Sequence, residues 1–186
     1  LFLFLNGLHT PWLDTLMYWI SLKYTWFPCY LLLIVWLCWQ YKWAGFFMLL
    51  TMVAALGLGD LVTSGFMKPF FERPRPCHEP LLQGMVYVVD GCGGRFGFAS
   101  AHAATTFALA SSIWLLLRDW SRWWGLTFVW AGLVAYSRVY LGVHDPADII
   151  IGALIGILIG WLMVNLHLWL SRHLNGKPLS SRYLPR

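Results

Sequence analysis

Three short polar stretches interrupt an otherwise apolar chain: Lys68-x6-Arg75-Pro76, Ser100-Ala101-His102, and Ser137-Arg138-x5-His144-x3-Asp148. Their residue types suit phosphate chemistry at a membrane surface. A lysine ammonium and two arginine forks can surround a phosphate, because guanidinium donors match its oxygens in pairs. Two histidines and a carboxylate can supply a nucleophile, a proton donor and an orienting partner. No metal ligand set is needed for this, and no cofactor is implied.

His144 and Asp148 are four residues apart, where Pro146 helps start a helix, so the carboxylate is expected on the same face as the imidazole. Held there, it fixes the ring tautomer and leaves the other nitrogen free to attack. Asp145 is the competing partner, but adjacent residues do not share a helix face. Arg138 lies near the end of an apolar run, where an unpaired guanidinium would be costly, so it is read as functional or tightly paired.

Each stretch also has a plainer reading. Lys68, Arg73 and Arg75 could be flanking cations that snorkel to headgroups. The prolines around them (Pro69, Pro74, Pro76) argue instead for a stiff, ordered segment. Ser100, where the Gly-rich loop 91–97 runs into a helix starting near Ala99 or Ser100, reads either as an N-cap or as a phosphate ligand. His102 reads either as an interfacial histidine or as a chemical group.

The elements that must position these residues follow from composition. Of the 186 residues, 59% are hydrophobic and 11% charged, which excludes an ordinary solvated surface and leaves no basic face for nucleic acid, despite a net charge of +5. Five apolar stretches are long enough to approach a bilayer crossing: 24–41, 43–67, 98–117, 123–141 and 149–170. Residues 1–23 are apolar but broken by Asn6, Gly7, His9, Pro11 and Asp14; they read as an N-terminal interfacial helix, with a sixth crossing as the alternative. They lack a charged leader, so they do not read as a signal peptide, and the first span is expected to serve for targeting. The expected fold is therefore all-α: a single membrane-embedded domain, 1–186, built as an integral membrane helical bundle of five or six transmembrane helices.

No crossing separates Lys68 from His102, and two separate His102 from His144. Parity puts all three stretches on one face of the membrane. The opposite face receives Lys42, the Arg118/Arg122 turn and the tail 171–186 with Arg172, Lys177, Arg182 and Arg186. By the positive-inside rule the tail is cytoplasmic and the polar site, with the loop 68–102, lies outside. Cys77 and Cys92 share that outer loop and are either a disulfide or two free thiols. Asp60, two turns before Lys68, is read as a structural tether for Lys68 or for another cation. Gly152, Gly156 and Gly160 form a stripe read as a close packing seam within the monomer. The oligomeric state is not legible.

Taken together the stretches resemble the type 2 phosphatidic acid phosphatase superfamily, whose signature is KxxxxxxRP, PSGH and SRxxxxxHxxxD. Lys68, Arg75 and Pro76 match the first element, and Ser137, Arg138, His144 and Asp148 the third. The second departs from it, reading Ala99-Ser100-Ala101-His102. The resemblance implies metal-independent hydrolysis of a lipid phosphate through a phosphohistidine. His144 would be the nucleophile, Asp148 its orienting partner and His102 the proton donor and later base. Lys68, Arg75, Ser100, the Ala101 N–H and Arg138 would hold phosphate oxygens. The implied setting is a bacterial inner membrane with the site on its outer face. Candidate substrates are undecaprenyl diphosphate, phosphatidylglycerophosphate, phosphatidic acid and lipid A phosphates, with a preference for the polyprenyl carrier or another cell-envelope lipid. Arg73, His78, Glu79 and Arg95 are candidates for tuning headgroup choice. A transporter or flippase-like protein that only binds anionic lipid is the alternative.

Overall fold

The computed structural model describes residues 1–175, with side chains to residue 173. Lys177, Arg182 and Arg186 of the expected cytoplasmic tail lie outside the described residues. Within them the chain is all-helical, with no named strand.

Residues 1–23 form two helices rather than one, α1 (Phe2–Asn6) and α2 (Pro11–Ser21). Thr10 is extended and Pro11, lacking an N–H, can only open a new helix. A 3₁₀ turn, Lys23–Trp26, leads into α3 (Phe27–Tyr41), and α2 is bent 68° from the segment Lys23–Tyr41. The N-terminal pair is pinned to the loop around Tyr87 and to the end of the helix Leu126–Tyr140. Asn6 Nδ2 donates to the carbonyls of Tyr87 and Tyr140, each at 2.8 Å, and Asp14 accepts from the hydroxyls of Tyr140 at 2.6 Å and Tyr87 at 3.1 Å.

Helix α4 (Trp43–Asp60) continues through a π-helical stretch, Leu61–Met67, into α5 (Lys68–Phe71). Pro69 accounts for the wider turn: it has no N–H for the ladder, and its ring would crowd the carbonyl four residues back. The remaining helices are α6 (Ala101–Leu117), α7 (Leu126–Tyr140) and α8 (Pro146–Asn175).

Helix α6 is the centre of the bundle. Its small residues Ala103, Ala104, Ala108, Ala110 and Ser112 are completely buried. The glycine stripe of α8 lies against it: a Cβ at Gly152 would stand 2.5 Å from the Ser100 carbonyl, and one at Gly156 would overlap the Ala104 carbonyl oxygen. The stripe is a backbone-to-backbone seam within the monomer, as its spacing suggested. The main apolar core joins Leu37, Met48, Met52, Leu109, Ile113, Leu117 and Val164 from α3, α4, α6 and α8.

Trp43–Phe71 and Pro146–His173 are long and apolar enough to cross a membrane, and the bent pair of α2 with Lys23–Tyr41 adds a third if it counts as one span. Trp36, Trp120 and Trp124 cluster at one end of the bundle, with Trp39, Trp43 and Trp123 exposed around them, which is the placement of an interfacial belt. The polar stretches lie at the opposite end.

Candidate active site

Lys68 opens α5, Arg75 follows in the loop, His102 sits in the first turn of α6, Arg138 in the last turn of α7, and His144 just before α8. These residues come from distant parts of the chain yet border a single cavity of about 960 Å³. Its polar end is lined by Lys68, Arg75, Ala101, His102, Arg138 and His144. Away from that end it becomes an apolar groove between α3 and α4, walled by Tyr30, Leu33, Leu50, Val53 and Leu56. A second cavity of about 490 Å³ meets the first at Ser21, Lys23, Phe27, Arg75, His102 and Arg138.

His144 and Asp148 are 1% exposed each, and His144 Nδ1 is 3.3 Å from Asp148 Oδ2. The ionised carboxylate can only accept, so Nδ1 carries the proton and Nε2 is left with its lone pair. Asp148 is itself tightly held. Its Oδ2 also accepts from the Asp145 N–H at 3.0 Å, its Oδ1 accepts from Arg73 Nη1 at 3.1 Å, and its carbonyl accepts from the Ser100 N–H at 3.1 Å.

Burial pushes the His144 imidazole down to about 4, against the hydrogen bond and charge of Asp148, which pull it up; Arg75 and Arg138 lower it further. An unfolded chain protonates this ring below its ordinary value of 6.5 while the fold keeps it neutral. As the pH falls through that window this group therefore favours unfolding, and at neutral pH the nucleophilic nitrogen is bare. In ¹⁵N-histidine-labelled protein, the His144 resonances, assigned by their loss in His144→Gln, should keep neutral-ring shifts down to about pH 5. A midpoint at or above 6.5 would contradict this environment.

The cations are positioned unequally. Arg75 donates from Nε to the Phe96 carbonyl at 3.3 Å and from Nη1 to the Cys92 carbonyl at 2.9 Å, leaving Nη2 uncommitted among the described residues. Arg138 donates from Nη1 to Ser21 Oγ, and its buried Nε has no hydrogen-bond partner among the described residues. A guanidinium donor with that capacity left over, on a residue lining the cationic end of the cavity, suits a phosphate oxygen. Lys68 Nζ donates to Ser64 Oγ at 3.3 Å, and Ser64 donates to Asp60 Oδ1 at 3.0 Å. Asp60 thus tethers Lys68 through a hydroxyl, along the face that the π-helical stretch brings into line.

Two of the residues offered to the substrate lie outside the lining of both cavities. Ser100 is fully buried and outside the cavity lining; its Oγ accepts from the Ala103 N–H at 3.5 Å as the N-cap of α6. A lone pair of the hydroxyl thereby serves the helix end, where four N–H groups lack partners. Arg73, expected to tune the headgroup, lines neither cavity and bridges Asp148 with Asp145, at 2.7 Å to the latter. No local spacing marks this pairing, whose partners lie 75 and 72 residues away in the chain. Replacing Arg73 by Met should lower kcat roughly 10–100-fold, as loss of an orienting partner does, and leave KM nearly unchanged. Steady-state kinetics test this; a rise in KM alone would place Arg73 on the substrate. Lys23, which borders both cavities, had no place in the expected site.

Cys77 and Cys92 form a disulfide with Cα atoms 5.9 Å apart, resolving the alternatives left open by the sequence.

The groove defines the class. A water-soluble phosphate ester would need no apolar approach to its cationic end, whereas a lipid would, and the chain is an integral membrane lipid phosphatase. Residues 45–172 match the family model of the PAP2 superfamily, and the chain belongs to that superfamily. It is 37% identical over 166 residues to the lipid A 4'-phosphatase of Bacteroides thetaiotaomicron, covering 87% of this chain and 73% of that protein. It is 29% identical over 147 residues to the undecaprenyl-diphosphatase of Sulfolobus acidocaldarius, covering 77% of this chain and 64% of that one. The crystal structure of Aquifex aeolicus LpxE superposes with a TM-score of 0.64 at 27% identity, covering 88% of this chain and 92% of that one.

Proposed function

We propose that the protein removes a phosphate from a lipid A-type phosphoglycolipid through a phosphohistidine on His144. The single observation that carries the reaction is the convergence of Lys68, Arg75, Arg138, His102 and His144 at the head of one apolar groove. The groove takes the acyl chains, and the cations neutralise the phosphate oxygens and meet the charge that develops during transfer. His144 Nε2 attacks phosphorus in line, forming the N–P bond as the P–O bond to the lipid breaks. Asp148 holds the ring and balances its positive charge. His102 gives its proton to the departing oxygen, then takes one from the water that hydrolyses the N–P bond. Ser100 serves as the cap that sets the start of α6, and the Ala101 N–H faces the phosphate.

The name of the relative at 37% identity, and a second, more polar cavity with room for a sugar beside the phosphate, favour the glycolipid. The Sulfolobus relative favours polyprenyl diphosphate as a second reading. Phosphate release from matched lipids in the presence of a chelator tests both. Turnover of lipid A phosphate at a higher kcat/KM than polyprenyl diphosphate supports the first reading, and the reverse order supports the second. Binding without release on either lipid would return the protein to the lipid-transport alternative.

The proposed setting is a bacterial inner membrane crossed five times, by α3, α4 with α5, α6, α7 and α8, with the site on the outer face. Helix α6 has 17 residues, about 25 Å at 1.5 Å per residue, a length that suits a helix surrounded by others rather than by lipid. The disulfide at the site end suits an oxidising compartment, and Lys42, Arg118, Arg122 and Arg172 lie at the other end.

A further inference from the structure

The loop that closes the outer end of the site gathers its polar contacts around Arg75. Segment 73–75 runs antiparallel to 95–97: the Arg75 N–H donates to the Arg95 carbonyl at 3.0 Å, the Gly97 N–H to the Arg73 carbonyl at 2.9 Å, and Pro74 pairs with Phe96. This short ladder aims the Arg75 side chain across the turn, where Nη1 meets the Cys92 carbonyl at 2.9 Å. Gly93 adopts φ +68°, and a Cβ there would stand 3.0 Å from that same Nη1. The carbonyl that grips the guanidinium therefore belongs to a disulfide residue. Its partner, Cys77, is two residues beyond Arg75. Most of the loop between them is exposed, including Leu81, Met85 and Gly91; Cys77 and Val89 pack on the cluster of Met17 and Tyr140, and Tyr87 is bonded to Asn6, but the disulfide is the direct tie on Cys92.

We propose that the Cys77–Cys92 disulfide is a positioning device for Arg75, so that phosphate binding, and with it lipid turnover, depends on the oxidised state of this loop. With the bond intact, Nε and Nη1 are anchored to loop carbonyls and Arg75 is held on the wall of both cavities. Reduction by dithiothreitol adds two electrons and two protons, leaving two thiols and the cyclic disulfide of the reagent. The nearest remaining anchors of residue 92 are then the ladder at 95–97 and the bonds of Tyr87 to Asn6, none of which holds the Cys92 carbonyl itself, and the second anchor of Arg75 loosens. The inference rests on the lipid phosphatase reading only for its activity arm.

The test uses the full chain in detergent with Cys29 and Cys38, the exposed free thiols, replaced by Ser. Inorganic phosphate affinity by calorimetry and steady-state kinetics on the lipid are compared for oxidised protein, reduced protein, reoxidised protein and Cys77→Ser/Cys92→Ser. Loss of a well-aimed charged hydrogen bond predicts a rise of roughly tenfold in KM and in phosphate Kd, a smaller change in kcat, and recovery on reoxidation. The same comparison is then made in Arg75→Ala. If the disulfide acts through Arg75, removing it there should cause no further weakening. An equal further loss in Arg75→Ala, or a fall in kcat at constant KM, would overturn the proposal, as would reduced protein that binds phosphate as tightly as oxidised protein. Failure of the lipid reading looks different. Oxidised protein would then release no phosphate from any lipid, while its phosphate affinity would still respond to reduction.

Discussion

Replacing His144 by alanine is expected to abolish phosphate release, a loss on the order of 10⁴-fold or more, in a protein that still folds. The size of the loss follows from the role: without Nε2 there is no atom to form the N–P bond, and water must attack directly in a site shaped for an imidazole. The fold survives because the partners of His144 are not orphaned. Asp148 keeps Arg73 at 3.1 Å and the Asp145 N–H at 3.0 Å, so its buried carboxylate stays paired. The cost is that of a truncated buried side chain and one lost hydrogen bond, about 2 kcal/mol. Phosphate release, acid-labile ³²P on the protein after rapid quench, and thermal unfolding separate the two effects. Wild-type protein should trap label and His144→Ala none, with a melting transition retained. Full turnover by the alanine variant would remove His144 from the mechanism.

The second large effect is structural. Gly156→Val should prevent stable folding, because the new side chain has to enter the seam where α8 touches the backbone of α6. A Cβ alone overlaps the Ala104 carbonyl oxygen, and the Ala108 nitrogen would be 2.9 Å away. Backbone on both sides cannot yield as a flexible side chain would, so the helices must part, at a cost of roughly 3 kcal/mol or more. The site suffers with the fold. Helix α6 carries His102 and α8 carries Asp148, and the bond from the Ser100 N–H to the Asp148 carbonyl joins their ends at 3.1 Å. Leu154→Val, on the outward side of the same helix at 58% exposure, provides the control and should leave unfolding temperature and activity close to wild type. A Gly156→Val protein that melts and turns over like wild type would show that the seam is not tight.

Much of the site is legible in the sequence. Local spacing carries local geometry: four residues at a helix start bring His144 and Asp148 together, and the 3.3 Å contact follows. Glycine at every fourth position marks one helix face, and that face proved to be the seam. Parity of apolar runs put Lys68, His102 and His144 at one end of the bundle, because a helix that enters a bilayer has to leave by the other side.

What the linear chain does not carry is the use to which each polar group is put. Ser100, read as an N-cap or a phosphate ligand, and Arg73, read as a candidate for tuning headgroup choice, each had more than one possible use. The fold spends one on a helix cap and the other on Asp145 and Asp148, more than 70 residues away in the chain. Polar groups take the partner that burial brings nearest, and that partner is chosen by how the helices pack. For the same reason, the grip of the Cys92 carbonyl on Arg75, the orphaned Nε of Arg138 and the meeting of two cavities at Lys23 required the assembled bundle. Periodicity and spacing encode which residues share a helix face. Which faces meet, and which donors are left for a phosphate, follows from packing between segments distant in the chain.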